Sequence, residues 1–154
     1  MVAAGPGTDV SDADFGNRLA DDLKRDEGVR HKLYRDTEGK WTIGYGHNIE
    51  ERGITPSVAE LILDEDIAVA VRDLDHNVAW WRAMPDTARR GLANMCFQLG
   101  WPRLSGFVRM IEALQAGDWE VAAAECLDSR YAKQAPGRAA RIAALYRRAG
   151  LALK

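Results

Sequence analysis

Leu33-Tyr34-Arg35-Asp36-Thr37-Glu38-Gly39-Lys40-Trp41-Thr42-Ile43-Gly44-Tyr45-Gly46-His47 is the stretch whose reading decides the fold. Two short runs suited to strands, His31 to Asp36 and Lys40 to Gly46, flank the turn sequence Asp36-Thr37-Glu38-Gly39. Gly39 supplies the positive φ that a three-residue hairpin loop needs. Gly44, Gly46 and Gly53 leave little bulk for a core here, so a small sheet is expected and not a sandwich. Upstream, Ser11 with Asp14 three positions on resembles a capping box. Phe15, Leu19 and Leu23 recur every four residues, which predicts a helix to about Asp26, stopped by Gly28.

Downstream, Thr55-Pro56 marks a helix start, cap then first helical residue. Val58, Leu61, Ile62, Ile67, Val71, Leu74 and Val78 sustain an apolar stripe long enough for a helix of roughly 30 Å. After Pro85 the chain reads as helical throughout. Leu92, Met95, Cys96 and Leu99 form one apolar face, stopped by Gly100. Phe107 to Leu114 form another, opened by Ser105 and ended near Gly117. Asp118 caps a third helix, and Pro136 to Ala149 form a fourth, stopped by Gly150. The expected class is α+β, mostly α: a small N-terminal β-hairpin lobe, a long connecting helix and a C-terminal helical bundle. Residues 1–10 read as a flexible arm and 11–154 as one domain. Within that domain the small lobe covers about 28–56, the connecting helix about 56–77, and the helical lobe about 78–154 together with the N-terminal helix 11–27. The cleft between lobes is the expected binding place.

Composition excludes several classes. The chain has 154 residues, 47% of them hydrophobic and 29% charged, which suits a globular core and excludes disorder and a disulfide-dense scaffold. No apolar run reaches the ~18 residues that a membrane span needs, and the first residues lack a secretory pattern. Cys96 and Cys126 could form at most one bridge and are expected to be buried thiols. Charge is divided along the chain. Residues 1–75 carry nine basic and seventeen acidic residues, a net of −8, and residues 76–154 carry twelve and six, a net of +6. From residue 129 to the end there are seven basic residues and no acid. Such a face either meets an anionic surface or simply solvates a helix.

Three polar residues gather around the hairpin: Glu27, Asp36 and Thr42. Glu27 falls at a predicted helix C-terminus, where backbone carbonyls carry partial negative charge. Asp36 would pair with Lys40 across the turn, which makes Thr42 its diagonal neighbour on one face. A carboxylate and a hydroxyl side by side can hold a water, and with a second carboxyl opposite they form the arrangement of glycoside hydrolysis. Equally, a turn Asp often only caps its turn, and a strand Thr often only fits its sheet.

The residues themselves carry more. Asp26-Glu27-Gly28, Leu33 to Gly39 and Thr42-Ile43-Gly44-Tyr45-Gly46-His47 resemble the signature of the bacteriophage T4-type lysozymes, glycoside hydrolase family 24. The steps of nine from Glu27 to Asp36 and six from Asp36 to Thr42 match the family's Glu-Asp-Thr triad. Asn94-Met95-Cys96-Phe97-Gln98-Leu99-Gly100 is similar to its helix end, and Ser129-Arg130-Tyr131, Gln134-x-Pro136 and Arg138-x-x-Arg141 to its C-terminal segment. The match covers about residues 15–148. It departs after His47, where Asn48 to Gly53 reaches Thr55-Pro56 by a short route.

The resemblance implies a lysozyme-like fold and a monomeric endolysin muramidase. Its substrate would be the β-1,4 bond between N-acetylmuramic acid and N-acetylglucosamine in peptidoglycan, cut with inversion for host lysis. It implies Glu27 as general acid, with Asp36 and Thr42 positioning the attacking water. Gln98, Phe97, Arg138, Tyr45 and Asn94 would bind substrate, and His47 with Asp66 would form a structural pair. No cofactor, metal or nucleic acid is implied. An anionic envelope surface is a further expected partner through the basic C-terminal face. A chain of this kind would wait in the host cytoplasm until a holin-type pore releases it to the cell wall. A lytic transglycosylase, or a membrane-disrupting or binding protein using the basic C-terminus, are the alternatives. Trp80-Trp81 could stack on sugars, although tryptophans at such positions more often belong to a core or its rim.

Overall fold

The computed structural model describes residues 10–151. They form two compact units, the first reaching Ala59 and the second beginning at Glu60. The fold is mostly helical with one three-stranded antiparallel sheet, ordered β1-β2-β3.

The first unit opens with α1, Val10–Glu27. Val10 is therefore already helical and not part of an arm, while residues 1–9 and the Ser11 cap lie outside the described residues and side chains. Asp14 pairs with Arg18 at 3.0 Å, and Arg25 with Asp22 at 3.0 Å, both at helical spacing. Gly28 N–H closes the last turn on the Lys24 carbonyl, as expected of a stop residue. The strands β1 (Arg30–Arg35), β2 (Trp41–Gly44) and β3 (His47–Asn48) differ from the sequence reading at their ends. Asp36 and Lys40 belong to the turn, because Asp36 uses both its backbone and its side chain to close it. The second expected strand, Lys40 to Gly46, shortens to Trp41–Gly44, and a third strand lies just beyond it. Gly44 and Gly46 sit at φ +68° and +70°, which turns the chain sharply and sends His47 and Asn48 back along β2. A short helix, α2 (Ile49–Arg52), follows, capped by the Asn48 side chain accepting from Glu51 N–H.

The helix α3, Pro56–Asn77, carries the unit boundary and starts as expected, with Thr55 Oγ1 accepting from Val58 N–H. The second unit continues through a 3-10 turn at Trp81–Ala83. After it come α4 (Asp86–Leu99), α5 (Trp101–Leu104), α6 (Val108–Ala116), α7 (Trp119–Leu127), α8 (Arg130–Gln134) and α9 (Pro136–Leu151). Two short helices, α5 and α8, are absent from the sequence reading, since four or five residues show no period. Ser105 does not open α6: its hydroxyl donates to the Pro102 carbonyl at the end of α5, and Phe107 takes the cap position. Gly150 does not stop α9, which runs on to Leu151. Asp118 caps α7 as expected, accepting from Val121 N–H.

The core of this unit packs α9 against α4 and α7. Small residues, Ala88, Gly91, Ala122, Ala123, Ala139 and Ala143, let the helix axes approach, and Leu74, Leu92, Met95, Leu104, Met110, Leu114, Ile142 and Tyr146 fill the space between. Gly91 makes room for Tyr146, whose ring lies where a Cβ would come within 2.6 Å. The Tyr146 hydroxyl donates to Met95 Sδ at 3.4 Å. Cys96 and Cys126 are free and buried, and burial pushes both thiols up to about 11, so neither is a ready nucleophile. Trp81 belongs to the core and not to a sugar platform.

One polar knot holds the end of α3 to the following turn. Asp75 accepts from Trp81 Nε1 at 2.7 Å and from Arg82 Nε and Nη2 at 2.6 and 2.8 Å. The Arg82 guanidinium first, and the Trp81 indole second, hold the Asp75 carboxyl down at about 2. A carboxylate with a lowered folded-state value stabilises the fold above its unfolded value, and the contribution fades as pH falls toward the folded one. Asp75→Asn should therefore lower Tm at neutral pH. Its deficit against the wild type should close as pH is brought from about 4 toward 2. Thermal unfolding followed by circular dichroism across that range checks this; a deficit independent of pH would show that the charge is idle.

Candidate active site

In the first unit, the end of α1 meets the turn between β2 and β3. A Cβ built on Gly46 would stand 2.9 Å from Glu27 Oε2 and 3.2 Å from its Cδ. The Glu27 carboxyl thus lies against bare backbone, in a place that a side chain at 46 would occupy. Beside it, Lys24 Nζ sits 5.9 Å from the centre of the Tyr45 ring, a cation over an aromatic face. Glu27 and Tyr45 are both exposed.

Asp36 and Thr42 share an anchor. Asp36 Oδ1 accepts from Glu38 N–H and Lys40 N–H, each at 2.9 Å. Its own N–H donates to the Lys40 carbonyl at 3.0 Å, and its carbonyl accepts from Gly39 N–H at 3.0 Å. Among the described residues no donor reaches Oδ2. Thr42, paired with Tyr34 across the sheet, is buried and donates its hydroxyl proton to the Lys40 carbonyl at 3.0 Å. The hydroxyl is left with acceptor lone pairs, as Asp36 is left with Oδ2. The turn is braced from its other side too: Arg35 Nη1 donates to the Gly39 carbonyl at 2.8 Å while its guanidinium lies 4.0 Å from the Trp41 ring centre. Sequence spacing points to Asp36 and Thr42, but it does not find Lys40, because the groups that act are its main-chain N–H and C=O.

His47 lies at the start of β3, and its Nε2 stands 2.6 Å from the Gly53 carbonyl, which leaves Nδ1 for another partner. Asp66 is on the α3 segment that belongs to the second unit, lining a small hollow with Val69, Ala70, Asp73 and Phe97.

In the second unit, α4 and α9 present the remaining residues singled out from sequence. Arg138 Nε donates to Asn94 Oδ1 at 2.7 Å and its Nη2 to the Asn94 carbonyl at 3.4 Å, so these two act as one group. With Phe97 they border a partly apolar groove of about 390 Å³ floored by Ile67, Ala70 and Val71. Gln98, near the end of α4, accepts the Tyr131 hydroxyl at 3.0 Å. Burial raises the Tyr131 phenol above its ordinary value, which keeps it a donor to Gln98, itself an exposed side chain. Tyr131 is a partner that sequence reading misses, since α8 itself is too short to show a period.

A second groove, of about 570 Å³, runs between α4 and α9 and is bordered by Arg90, Arg138, Arg141 and Arg148. Among the described residues Arg141 and Arg148 have no hydrogen bond or ion pair. Arg147, by contrast, is committed to Glu120 at 3.0 and 3.1 Å. No group of three or more His, Cys, Asp or Glu among the described residues could hold a metal ion.

Comparison with known proteins identifies the family. Residues 24–150 match the phage lysozyme family. The pre-baseplate central spike protein of Enterobacteria phage T4 is 34% identical, over 80% of this chain but only 26% of its own length, so this chain spans about a quarter of that relative. A probable T4-type lysozyme of Dictyostelium discoideum is 27% identical over 83% of this chain and 92% of its own. An endolysin of Acyrthosiphon pisum secondary endosymbiont phage 1 is 32% identical over 72% and 76%. The matched span takes in Glu27, the whole hairpin and the α4 and α9 residues alike, and the chain belongs to the phage lysozyme family as a lysozyme-type enzyme.

Proposed function

We propose that this chain hydrolyses the β-1,4 bond between N-acetylmuramic acid and N-acetylglucosamine in peptidoglycan, with inversion at the anomeric carbon. Glu27 is the general acid: it gives its proton to the glycosidic oxygen as the C–O bond breaks. A water donates one hydrogen to Asp36 Oδ2 and the other to Thr42 Oγ1, which turns its remaining lone pair toward the anomeric carbon. Asp36 then takes the proton as the new C–O bond forms. The observation that carries this reading is the common anchoring of Asp36 and Thr42 on Lys40. It occupies Oδ1 and the hydroxyl proton, and leaves one acceptor on each side chain for a water.

Binding is assigned to Gln98 through its exposed amide, to Phe97 and Tyr45 through their exposed rings, and to Asn94 with Arg138 as a joined polar pair. His47 is assigned a structural role on the Gly53 carbonyl, which ties the start of β3 to the end of α2. The basic face on α9 attracts anionic stems and envelope phosphates, chiefly through Arg138 and Arg141. The setting proposed is lysis of a bacterial host by a monomer that reaches the wall after release through a holin-type pore. Among the described residues no helix is long and apolar enough to cross a membrane.

Three measurements test this. A general acid contributes roughly 10²–10⁴-fold, so Glu27→Gln should lose at least about a hundredfold in lysis of permeabilised cells with its Tm unchanged. Retained activity would remove the assignment, and mass spectrometry of the wild-type products would show added water and not anhydro ends. Gly46→Ala places a methyl against Glu27 Oε2 at a left-handed position. The carboxyl can swing aside, so the variant should fold with a cost of roughly 1–2 kcal/mol while its turnover falls by about tenfold or more. For the basic face, an Arg138→Ala, Arg141→Ala double variant should raise KM more than it lowers kcat, and the difference should shrink as salt brings the Debye length below ~10 Å. Wild-type kinetics at every ionic strength would mean that these arginines only solvate α9.

A further inference from the structure

We propose that Lys40 is the positioning residue of the hydrolytic water site, acting through an ionic clamp that ties its side chain to α2. This inference rests on the assignment of Asp36 and Thr42 made above and goes beyond it. Every contact involved lies within the first unit. Among the described residues, the main chain of Lys40 is the one hydrogen-bond partner that both side chains share: its N–H fixes Asp36 Oδ1, and its carbonyl fixes the Thr42 hydroxyl and the Asp36 N–H. A hairpin turn at a sheet edge is otherwise free to rock, and a displacement there would move both side chains together. The Lys40 side chain opposes that movement. Its Nζ lies 2.7 Å from Glu51 Oε1 and 3.7 Å from Glu50 Oε2.

The far end of the clamp is itself fixed. Glu51 Oε2 accepts from Asn48 Nδ2 at 3.3 Å, and Asn48 Oδ1 accepts from Glu51 N–H at 3.1 Å. Asn48 is the residue of β3 that pairs with Thr42. The contacts thus close a ring: Thr42 to the Lys40 carbonyl, Lys40 Nζ to Glu51, Glu51 to Asn48, and Asn48 back to Thr42 through the sheet. Arg35 on the Gly39 carbonyl steadies the opposite shoulder of the turn. The ring explains why α2 follows β3 without a gap, with its two acidic residues at its start. It uses partly exposed charges, so it biases the position of the turn and does not carry the fold.

A double-mutant cycle on solubilised peptidoglycan chains tests this. An exposed ion pair shifts populations by a factor of about five at most. Lys40→Met and Glu51→Gln should therefore each lower kcat by about two- to fivefold with KM unchanged. The double variant should fall no further than the worse single one, because both remove the same contact. Lys40→Arg, which keeps the charge, should recover most of the rate lost in Lys40→Met. Amide hydrogen exchange at residues 38 and 40, the donors to Asp36, should quicken in the same variants with Tm unchanged, a readout that a merely solvating lysine would not move. A wild-type kcat in Lys40→Met overturns the proposal, as does an additive cycle. Asp36→Asn and Thr42→Ala measured alongside separate the two claims: full activity in either would overturn the assignment of those side chains, and with it the clamp as a catalytic device.

Discussion

A carboxylate that has to receive a proton must keep one oxygen accessible and yet be held still. In the proposed mechanism that carboxylate is Asp36, and the hairpin turn at residues 36–40 divides its two oxygens between these demands. Oδ1 is committed to two backbone N–H groups, and among the described residues no donor reaches Oδ2. Both bonds come from the main chain, so they survive whatever side chains the turn carries. The same peptide unit region supplies the acceptor for Thr42, which is buried and could not keep an unpaired hydroxyl without cost. The small sheet has few buried side chains to stiffen it. Its order comes from this density of hydrogen bonds, with Arg35 and Lys40 bracing the turn from its two ends.

The second unit solves a different problem. Its polar residues stand on helices, and their positions depend on how closely those helices pack. Alanines along α4, α7 and α9, and Gly91 under the Tyr146 ring, bring the helices together. That packing puts Arg138 within 2.7 Å of Asn94, forty-four residues away in the chain. It also puts the Tyr131 hydroxyl on Gln98. Asn94, Gln98 and Arg138 are therefore each oriented by a partner from another helix. The Asp75–Trp81–Arg82 knot plays a similar part at the end of α3, where a buried indole needs an acceptor for its N–H.

The relatives of this chain differ in size and source. They include a pre-baseplate central spike protein of phage T4, an endolysin and a probable T4-type lysozyme of Dictyostelium discoideum. A lysozyme-type chain can serve alone or as part of a longer protein, and what distinguishes these uses lies outside the hairpin chemistry. The four-arginine border of the α4–α9 groove is a property of this chain's own surface, and charge of that density acts on any polyanion before a specific contact forms.

Local chemistry was legible in the sequence. The spacing of apolar residues marked α4, α6, α7 and α9, because each buries one side and the period repeats for several turns; in α3 the same period is present, with Leu74 buried and Val58, Leu61, Ile62 and Ile67 exposed. Asp118 and Thr55 marked helix starts through the hydrogen bonds their side chains can make within three residues. The Glu27, Asp36 and Thr42 steps, read with the residues around them, pointed to glycoside hydrolysis. The failures share a cause as well. The third strand, α5 and α8 are too short for a period, Ser105 found an acceptor in a turn that no pattern announced, and Gly150 stayed helical because α9 is held by packing over most of its length. What only the tertiary structure decided is which atoms are already occupied: that Lys40 serves through its backbone, that Arg147 is tied to Glu120 while Arg141 is not, and that Gln98 answers to Tyr131. The physical reason is that periodicity and capping are encoded by side chains close in sequence. The partner of a polar atom is chosen by whatever the packed helices and paired strands bring within 3 Å of it.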